Sequence, residues 1–250
     1  MNEDFRKLRN FLKDSVRKEF DFSRTDQSKG IPAPDVEKPV LAGQRVIPLL
    51  KPQEWKNIEK VDLVSAIKKR RSRRDFLKKS LLLEEVSFLL WATQGLARKG
   101  KGYTMRMVPS AGARHAFETY LCVLDVESLN PGVYRYLPLS HQLVEEFLDE
   151  DMASKIVPAC MGQRFAGTAA AVFIWAAVPY RMEWRYGPVS VKAIALDAGH
   201  VCQNLYLACE AISCGTCAIA AYDQEKIDAL LGLDAEDEFV IYLAPVGKIS

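Results

Sequence analysis

Residues 191 to 212 constrain the fold more than any other stretch. Ile194, Leu196, Ala198, Val201, Leu205, Leu207 and Ala208 make the segment apolar nearly all round. A helix without a polar face has to be enclosed by its own domain, so the spacing predicts a central buried helix. Four polar residues lie within it, Asp197, His200, Gln203 and Asn204, and in an apolar setting each needs a hydrogen-bond partner. His200 reads either as an acid or base or as a satisfied core histidine; no nucleophile adjoins it.

The flanking chain supplies elements to enclose that helix. Asp62 caps a helix through Leu63 and Ile67, and Ser80 caps a second with Glu84 in its first turns and Val86, Leu89, Leu90 and Trp91 inward, ending near Gln94 and Gly95. A Gly-rich basic loop spans 98–102. Strands are expected over 118–126, 132–136, 171–178 and 239–244, with a short helix over 143–148 and another over 225–231 capped by Asp223. Residues 180–187, aromatic and basic together, suit a loop over a flat ligand or the start of a helix. The first 60 or so residues differ: Phe5, Leu8, Phe11, Leu12 and Val16 fall at helical spacing, and a Pro-rich arm runs from Ile31 to Pro52. The arm is too apolar at Val46 to Leu50 to float, so it should lie on its own subunit or on a partner. The division is an N-terminal helix and arm over 1–58 and one domain over 59–250.

Charge narrows the partners. With 34 basic against 32 acidic residues, nothing draws the chain to nucleic acid or a membrane surface, and small molecules or protein are expected instead. The charged start and an apolar run no longer than residues 168–179 predict a soluble, cytoplasmic protein. Cys214 and Cys217 have C-x-x-C spacing, but no second pair or histidine motif completes a zinc set, and their flanks read as core, so packing is preferred to redox chemistry.

Against this neutral background stands Arg70-Arg71-Ser72-Arg73-Arg74-Asp75-Phe76. Guanidinium forks with a hydroxyl among them suit a phosphate monoester, although a solvated basic helix end would use the same residues. Val108-Pro109-Ser110-Ala111-Gly112-Ala113 is a run of small residues that lets backbone approach a ligand, or else an ordinary turn before a strand. Lys248, just past a strand end, offers a further positive charge.

Four segments in order, Arg70 to Phe76, Pro109 to Ala113, Leu196-Asp197-Ala198-Gly199-His200-x-x-Gln203-Asn204-Leu205, and Ala244 to Lys248, resemble the nitroreductase-like flavoproteins, and among them the SagB-type branch related to thiazole/oxazole-forming peptide dehydrogenases. The resemblance covers residues 60 to 250. It implies an α+β fold with a mostly antiparallel sheet flanked by helices, and an entwined homodimer holding FMN in each of two interface sites. It further implies that Arg70, Ser72 and Lys248 hold the FMN phosphate, that Arg71 adds backbone or phosphate contacts, and that Arg74 stabilises charge at flavin N1 and O2. Pro109, Ser110 and Ala111, with Gly112 beside them, would come from the partner and lie on the flavin ring. Gln163 and Arg164 match a region at the pyrimidine edge, Ala220 and Ala221 match the turn facing flavin N5, and Gly247 belongs to the last matching segment.

Simpler reductases of this kind carry Glu-Gly at Ala220-Ala221 and a Ser-x-Asn-x-Gln pattern at 111–115; the latter departure is typical of the SagB-type branch. Where the azoline oxidases place a Lys-Tyr pair this chain has Arg185-Tyr186. Arginine stays protonated, which leaves Tyr186 as a proton relay and Arg185 as its electrostatic partner. The resulting expectation is an FMN oxidoreductase passing hydride through flavin N5, with NAD(P)H as co-substrate and a nitro or quinone acceptor. A SagB-type dehydrogenase using oxygen, a flavin-binding protein without turnover, and a flavin-free interaction module remain as alternatives.

Overall fold

Strict alternation in two segments explains the centre of the molecule. In Ala171–Ala177 every residue is buried, yet Ala171, Phe173, Trp175 and Ala177 join one apolar cluster while Val172, Ile174 and Ala176 join another. Phe117–Val123 divides in the same way, with Phe117, Leu121 and Val123 on one side and Tyr120 and Cys122 on the other. Strands buried on both faces belong in the middle of a sheet covered on both sides.

The computed structural model describes residues 3–100 and 103–250. Its strands are β1 (Val46–Pro48), β2 (Leu96–Gly100), β3 (Tyr103–Arg106), β4 (Phe117–Val123), β5 (Gly132–Leu137), β6 (Gln142–Leu148), β7 (Ala171–Ala177), β8 (Cys214–Thr216) and β9 (Phe239–Lys248). Its helices are α1 (Glu3–Arg9), α2 (Val16–Glu19), α3 (Leu63–Lys69), α4 (Leu83–Gln94), α5 (Met152–Ala159), α6 (Tyr180–Tyr186), α7 (Ser190–Cys209) and α8 (Gln224–Leu231). Seven strands form one sheet in the order β1-β6-β5-β4-β7-β9-β8, with antiparallel pairing throughout, and β2-β3 is a separate hairpin. Residues from α4 and α7 cover one face; residues from α5 and α8 cover the other. None of the described helices is long and apolar enough to cross a membrane.

Caps follow the sequence in two places. Asp62 accepts from Ser65 N at 3.0 Å, and Asp223 accepts from Lys226 N at 3.2 Å. Several expectations are corrected. Ser80 does not cap α4; its hydroxyl donates to Asp125 at 2.6 Å, and Glu85 instead accepts from Leu82 N at 3.0 Å at the true helix start. Residues 143–148 are strand, not helix. A register shift opposite Val133/Tyr134 inserts an extra residue at Glu146, and this bulge breaks the two-residue alternation that would have marked a strand. The final strand continues through Pro245 to Lys248, and the expected 98–102 loop is the second half of β2 as far as Gly100, Lys101 and Gly102 lying outside the described residues. Residues 180–187 resolve as helix α6, ending at Gly187. The helix α7 is buried along one side only: Val191, Ala195, Leu196, Gly199, His200 and Gln203 form an exposed stripe at helical spacing. His200 is therefore not a core histidine.

The N-terminal arm lies on its own subunit. Val46–Pro48 pairs with β6, and Leu49 enters the core. Upstream, three buried arginines from the domain donate to arm carbonyls. Arg181 reaches Asp35 O at 2.9 Å, Arg106 reaches Val36 O at 2.7 Å, and Arg135 reaches Lys38 O and Pro39 O at 3.0 Å. Buried Glu118 supplies counter-charge: it pairs with Arg181, lies 3.9 Å from Arg135 and accepts from Lys38 N at 2.8 Å. Removing one member of such a cluster leaves charge without a partner in a dry site. Arg181→Ala is expected to cost about 3–5 kcal/mol in urea unfolding and to open residues 31–39 to limited proteolysis. A loss under about 1 kcal/mol, the scale of an exposed pair, would contradict the clamp.

Candidate functional site

The basic run leaves α3 in extended conformation and is laid against the last strands. Ser72 forms a parallel bridge with Thr216, Arg73 N donates to Thr216 O at 2.9 Å, and Leu77 N donates to Lys248 O at 2.9 Å. Two glycines permit the approach: a Cβ on Gly215 would sit 2.5 Å from Arg73 Cβ, and one on Gly247 would sit 2.8 Å from the Phe76 ring. Gly247 is thus the seat of Phe76.

Extended backbone sends successive side chains to opposite sides, and the run divides accordingly. On one side Arg70 lies over the Tyr206 ring at 5.2 Å, Ser72 Oγ meets Tyr206 Oη at 3.0 Å, and Arg74 lies over the Phe165 ring at 5.7 Å. On the other side Arg71 and Arg73 line a cavity of about 730 Å³ with Lys68, Lys69, Ser65 and Cys214. Arg71 donates to Lys68 O and Arg70 O, so its fork folds back on the helix end rather than joining Arg70. Among the described residues neither Arg70 nor Arg74 has an acidic side chain within ion-pair distance.

Beside Arg74 and Phe165, Gln163 donates to Cys160 O at 3.0 Å and to Ala221 O at 2.8 Å, which ties it to the exposed pair Ala220-Ala221. Arg164 starts the short turn after Gln163 that carries Phe165, and is exposed. Lys248 does not face this side. Its side chain is buried, with the ammonium paired to Glu85 and donating to Ile212 O at 2.9 Å, so its charge is already matched inside the protein.

The small-residue turn forms a second, separate group. Buried Asp197 accepts from Ala111 N at 3.3 Å, Ser110 Oγ accepts from His115 N at 2.9 Å, and His200 Nδ1 lies 3.8 Å from Asp197. Gly112 has φ +57°, and a Cβ there would sit 2.3 Å from Tyr186 Oη, so the glycine allows the tyrosine hydroxyl to meet the turn. Arg185 stacks over the Tyr186 ring at 5.4 Å. Burial and the nearby Arg106 depress His115 to a pKa of about 3, which keeps it neutral. Pro109 and Gly112 are exposed.

Both groups hang on α7, by Asp197 and by Tyr206, nine residues apart. At 100° per residue that is about two and a half turns, so the two attachments lie on opposite sides of the helix and about 13 Å apart along it. The chain by itself does not bring the turn and the arginine face together. Tyr206 and Phe165, absent from the sequence-level reading, are central to the first group; their only signal is an aromatic next to Asn204-Leu205 and another next to Gln163-Arg164.

The same segments carry the family assignment. The model for the nitroreductase family matches residues 67–248. A nitroreductase-type protein of Methanocaldococcus jannaschii is 34% identical over 192 residues, 77% of this chain and 93% of that one. The chain belongs to the nitroreductase family. A nitroreductase-type crystal structure from Ralstonia eutropha JMP134 is 25% identical with a TM-score of 0.68, covering 88% of this chain and 99% of that one. One from Anabaena variabilis, 24% identical with a TM-score of 0.62, matches 74% of this chain, which spans only 38% of that longer one. A third, from Desulfovibrio desulfuricans in complex with FMN, shares the fold at 15% identity and a TM-score of 0.53 over 76% of this chain and 88% of that one. The fold is nitroreductase-like, a central antiparallel sheet flanked by helices.

Asp197 allows a test of the turn's anchoring. Burial raises its pKa above the ordinary 3.8, opposed by hydrogen bonds from Ser110 and Ala111 and by His200. A raised aspartate favours folding when protonated, so stability is lost as pH climbs from the ordinary value through the raised one. Asp197→Asn keeps an acceptor for Ala111 N–H and removes that loss, so its unfolding free energy should gain on the native protein as pH rises above the ordinary aspartate value of 3.8. Parallel pH curves would contradict this.

Proposed function

We propose that the chain is an FMN-dependent oxidoreductase that uses NAD(P)H to reduce a nitro- or quinone-type small molecule, acting as a homodimer with FMN at the subunit interface. The observation that carries this reading is the Arg70, Ser72, Arg74 face: two guanidiniums held by aromatic rings and without ion-pair partners among the described residues, with a hydroxyl between them. The donor set fits a flavin mononucleotide. Arg70 and Ser72 suit the phosphate, Arg74 is placed two residues on for the negative edge of the ring system, and Gln163, whose N–H groups are given to Cys160 O and Ala221 O, offers its amide oxygen beside the small side chains of Ala220-Ala221 for a flat group. Thr216 Oγ1, buried behind Ser72 with no hydrogen-bond partner, is a further polar group at this wall.

When bound, FMN supplies hydride transfer through its N5. The chain's own residues do the rest. Arg70 and Ser72 anchor the cofactor, Arg74 places fixed positive charge where negative charge develops, and Ala220 and Ala221 leave backbone open to the ring. Pro109, Ser110, Ala111 and Gly112 of the second subunit would close the other side. The homodimer is supported by the opposite placement of the two groups on α7 and by the exposed apolar stripe of Val191, Ala195 and Leu196, the first 51% and the last 56% exposed. Tyr186, held at Gly112, is the hydroxyl available to give or take a proton at a substrate heteroatom, with Arg185 over its ring as an electrostatic partner.

A SagB-type dehydrogenase with oxygen as acceptor is the second reading, favoured by Ala111 to His115 standing where simpler reductases carry Ser-x-Asn-x-Gln, and weakened by Arg185-Tyr186 standing where azoline oxidases carry Lys-Tyr, since arginine cannot serve as a base. NADPH consumption with a nitroaromatic and without any peptide supports the reductase; oxygen uptake only with an azoline precursor supports the dehydrogenase.

Binding separates the two sides of the basic run. In fluorescence titration of FMN, Arg70→Ala and Arg74→Ala should each weaken binding about 10- to 100-fold, the range for a lost charge-assisted hydrogen bond. Arg71→Ala and Arg73→Ala should change it less than about twofold, as expected where no contact is lost. Equal losses on both sides, or no FMN binding at all, would overturn the reading.

A further inference from the structure

Tyr206 stands between the two parts of the arginine face that any phosphate would use. Its ring carries the Arg70 guanidinium at 5.2 Å. Its hydroxyl has two close neighbours, Ala218 N at 2.9 Å and Ser72 Oγ at 3.0 Å. The first is a backbone amide and can only donate, so the phenol oxygen accepts there. The phenol has one proton left to give, and Ser72 Oγ is the acceptor within reach. If Tyr206 donates to Ser72, the serine proton is free to point outward, toward an anion. If the serine donated to the phenol instead, it would turn only lone pairs outward and repel one.

We infer that Tyr206 is a positioning residue for phosphate recognition, which sets the donor polarity of Ser72 and seats Arg70. An anion on this face selects one direction of the chain, Ala218 N–H to Tyr206 O–H to Ser72 O–H to phosphate oxygen, and aligned hydrogen bonds of this kind polarise one another. The tyrosine is presented by a rigid element. It lies on α7, which is fixed next to it by Asn204 donating to Ala92 O at 2.9 Å and by buried Leu205. Its contribution goes to the phosphate end of the ligand and not to the ring system. This rests on the FMN reading proposed above.

Tyr206→Phe tests it with the full-length protein, because the phenylalanine ring keeps the Arg70 contact and removes only the hydroxyl. FMN and riboflavin, which differ by the phosphate, are titrated by flavin-fluorescence quenching against the native protein, Tyr206→Phe, Ser72→Ala and the double variant. FMN should bind Tyr206→Phe about tenfold more weakly, with riboflavin affinity unchanged within about twofold. The double variant should bind FMN no more weakly than Ser72→Ala, since the tyrosine acts through the serine. Equal weakening of both flavins would assign Tyr206 a merely structural role and overturn the inference. So would an unchanged preference for FMN in the variant, with the FMN reading left standing. A native protein that binds neither flavin would overturn both.

Discussion

One backbone contact organises the candidate site: the parallel bridge from Ser72 to Thr216, continued by the Arg73 amide on Thr216 O. By holding the exit of α3 extended against β8, it turns a run of like charges into two sets that face different ways. Arg70, Ser72 and Arg74 are presented together, while Arg71 and Arg73 are diverted to the cavity behind. Gly215 and Gly247 are the condition for that contact, because any side chain at either place would meet Arg73 or Phe76. Aromatic faces then do what carboxylates usually do around arginine. Tyr206 and Phe165 orient the two forks without neutralising them, which keeps their charge available to a ligand. The buried Lys248–Glu85 pair does the reverse, joining the end of β9 to α4 by a matched charge.

A second set of buried charges joins the N-terminal arm to the sheet. Arg106, Arg135 and Arg181 reach arm carbonyls from three separate elements, and Glu118 in the central strand β4 holds two of them. Charges this deep in an apolar sheet require partners, and the arm's backbone provides them. The arm is therefore part of the domain's interior chemistry, although the family match begins only at residue 67. The helices before it present Phe5, Leu8, Phe11 and Leu12 to the outside.

Much of this could be read from residue order. The alternating apolar strand at 171–177, the caps at Asp62 and Asp223, the long helix after Ser190 and the small-residue turn are all local patterns, and local patterns survive folding. What escaped reading depends on pairing between distant segments. Glu146 looks helical because a bulge opposite Val133, on the neighbouring strand of the hairpin, interrupts alternation. Leu196 looks like core because it is apolar, while its exposure depends on what the single chain packs there. Lys248 looks like a phosphate ligand until Glu85, 163 residues away, is found to claim it. Tyr206 shows the same limit in the other direction: nothing beside it in sequence announces that its hydroxyl lies between Ser72 and Ala218.

The central claim is that the Arg70 and Ser72 side of the run holds the phosphate of FMN, and phosphorus NMR of the FMN complex addresses it most directly. A free phosphate monoester loses its second proton near pH 6. Two positive or donating groups in contact favour the dianion, so the bound resonance should hold its dianion position from about pH 8 down to about pH 5 while free FMN titrates in the same tube. A bound resonance that titrates with the free one would mean that the phosphate remains in solvent, and the account of the basic run would be wrong.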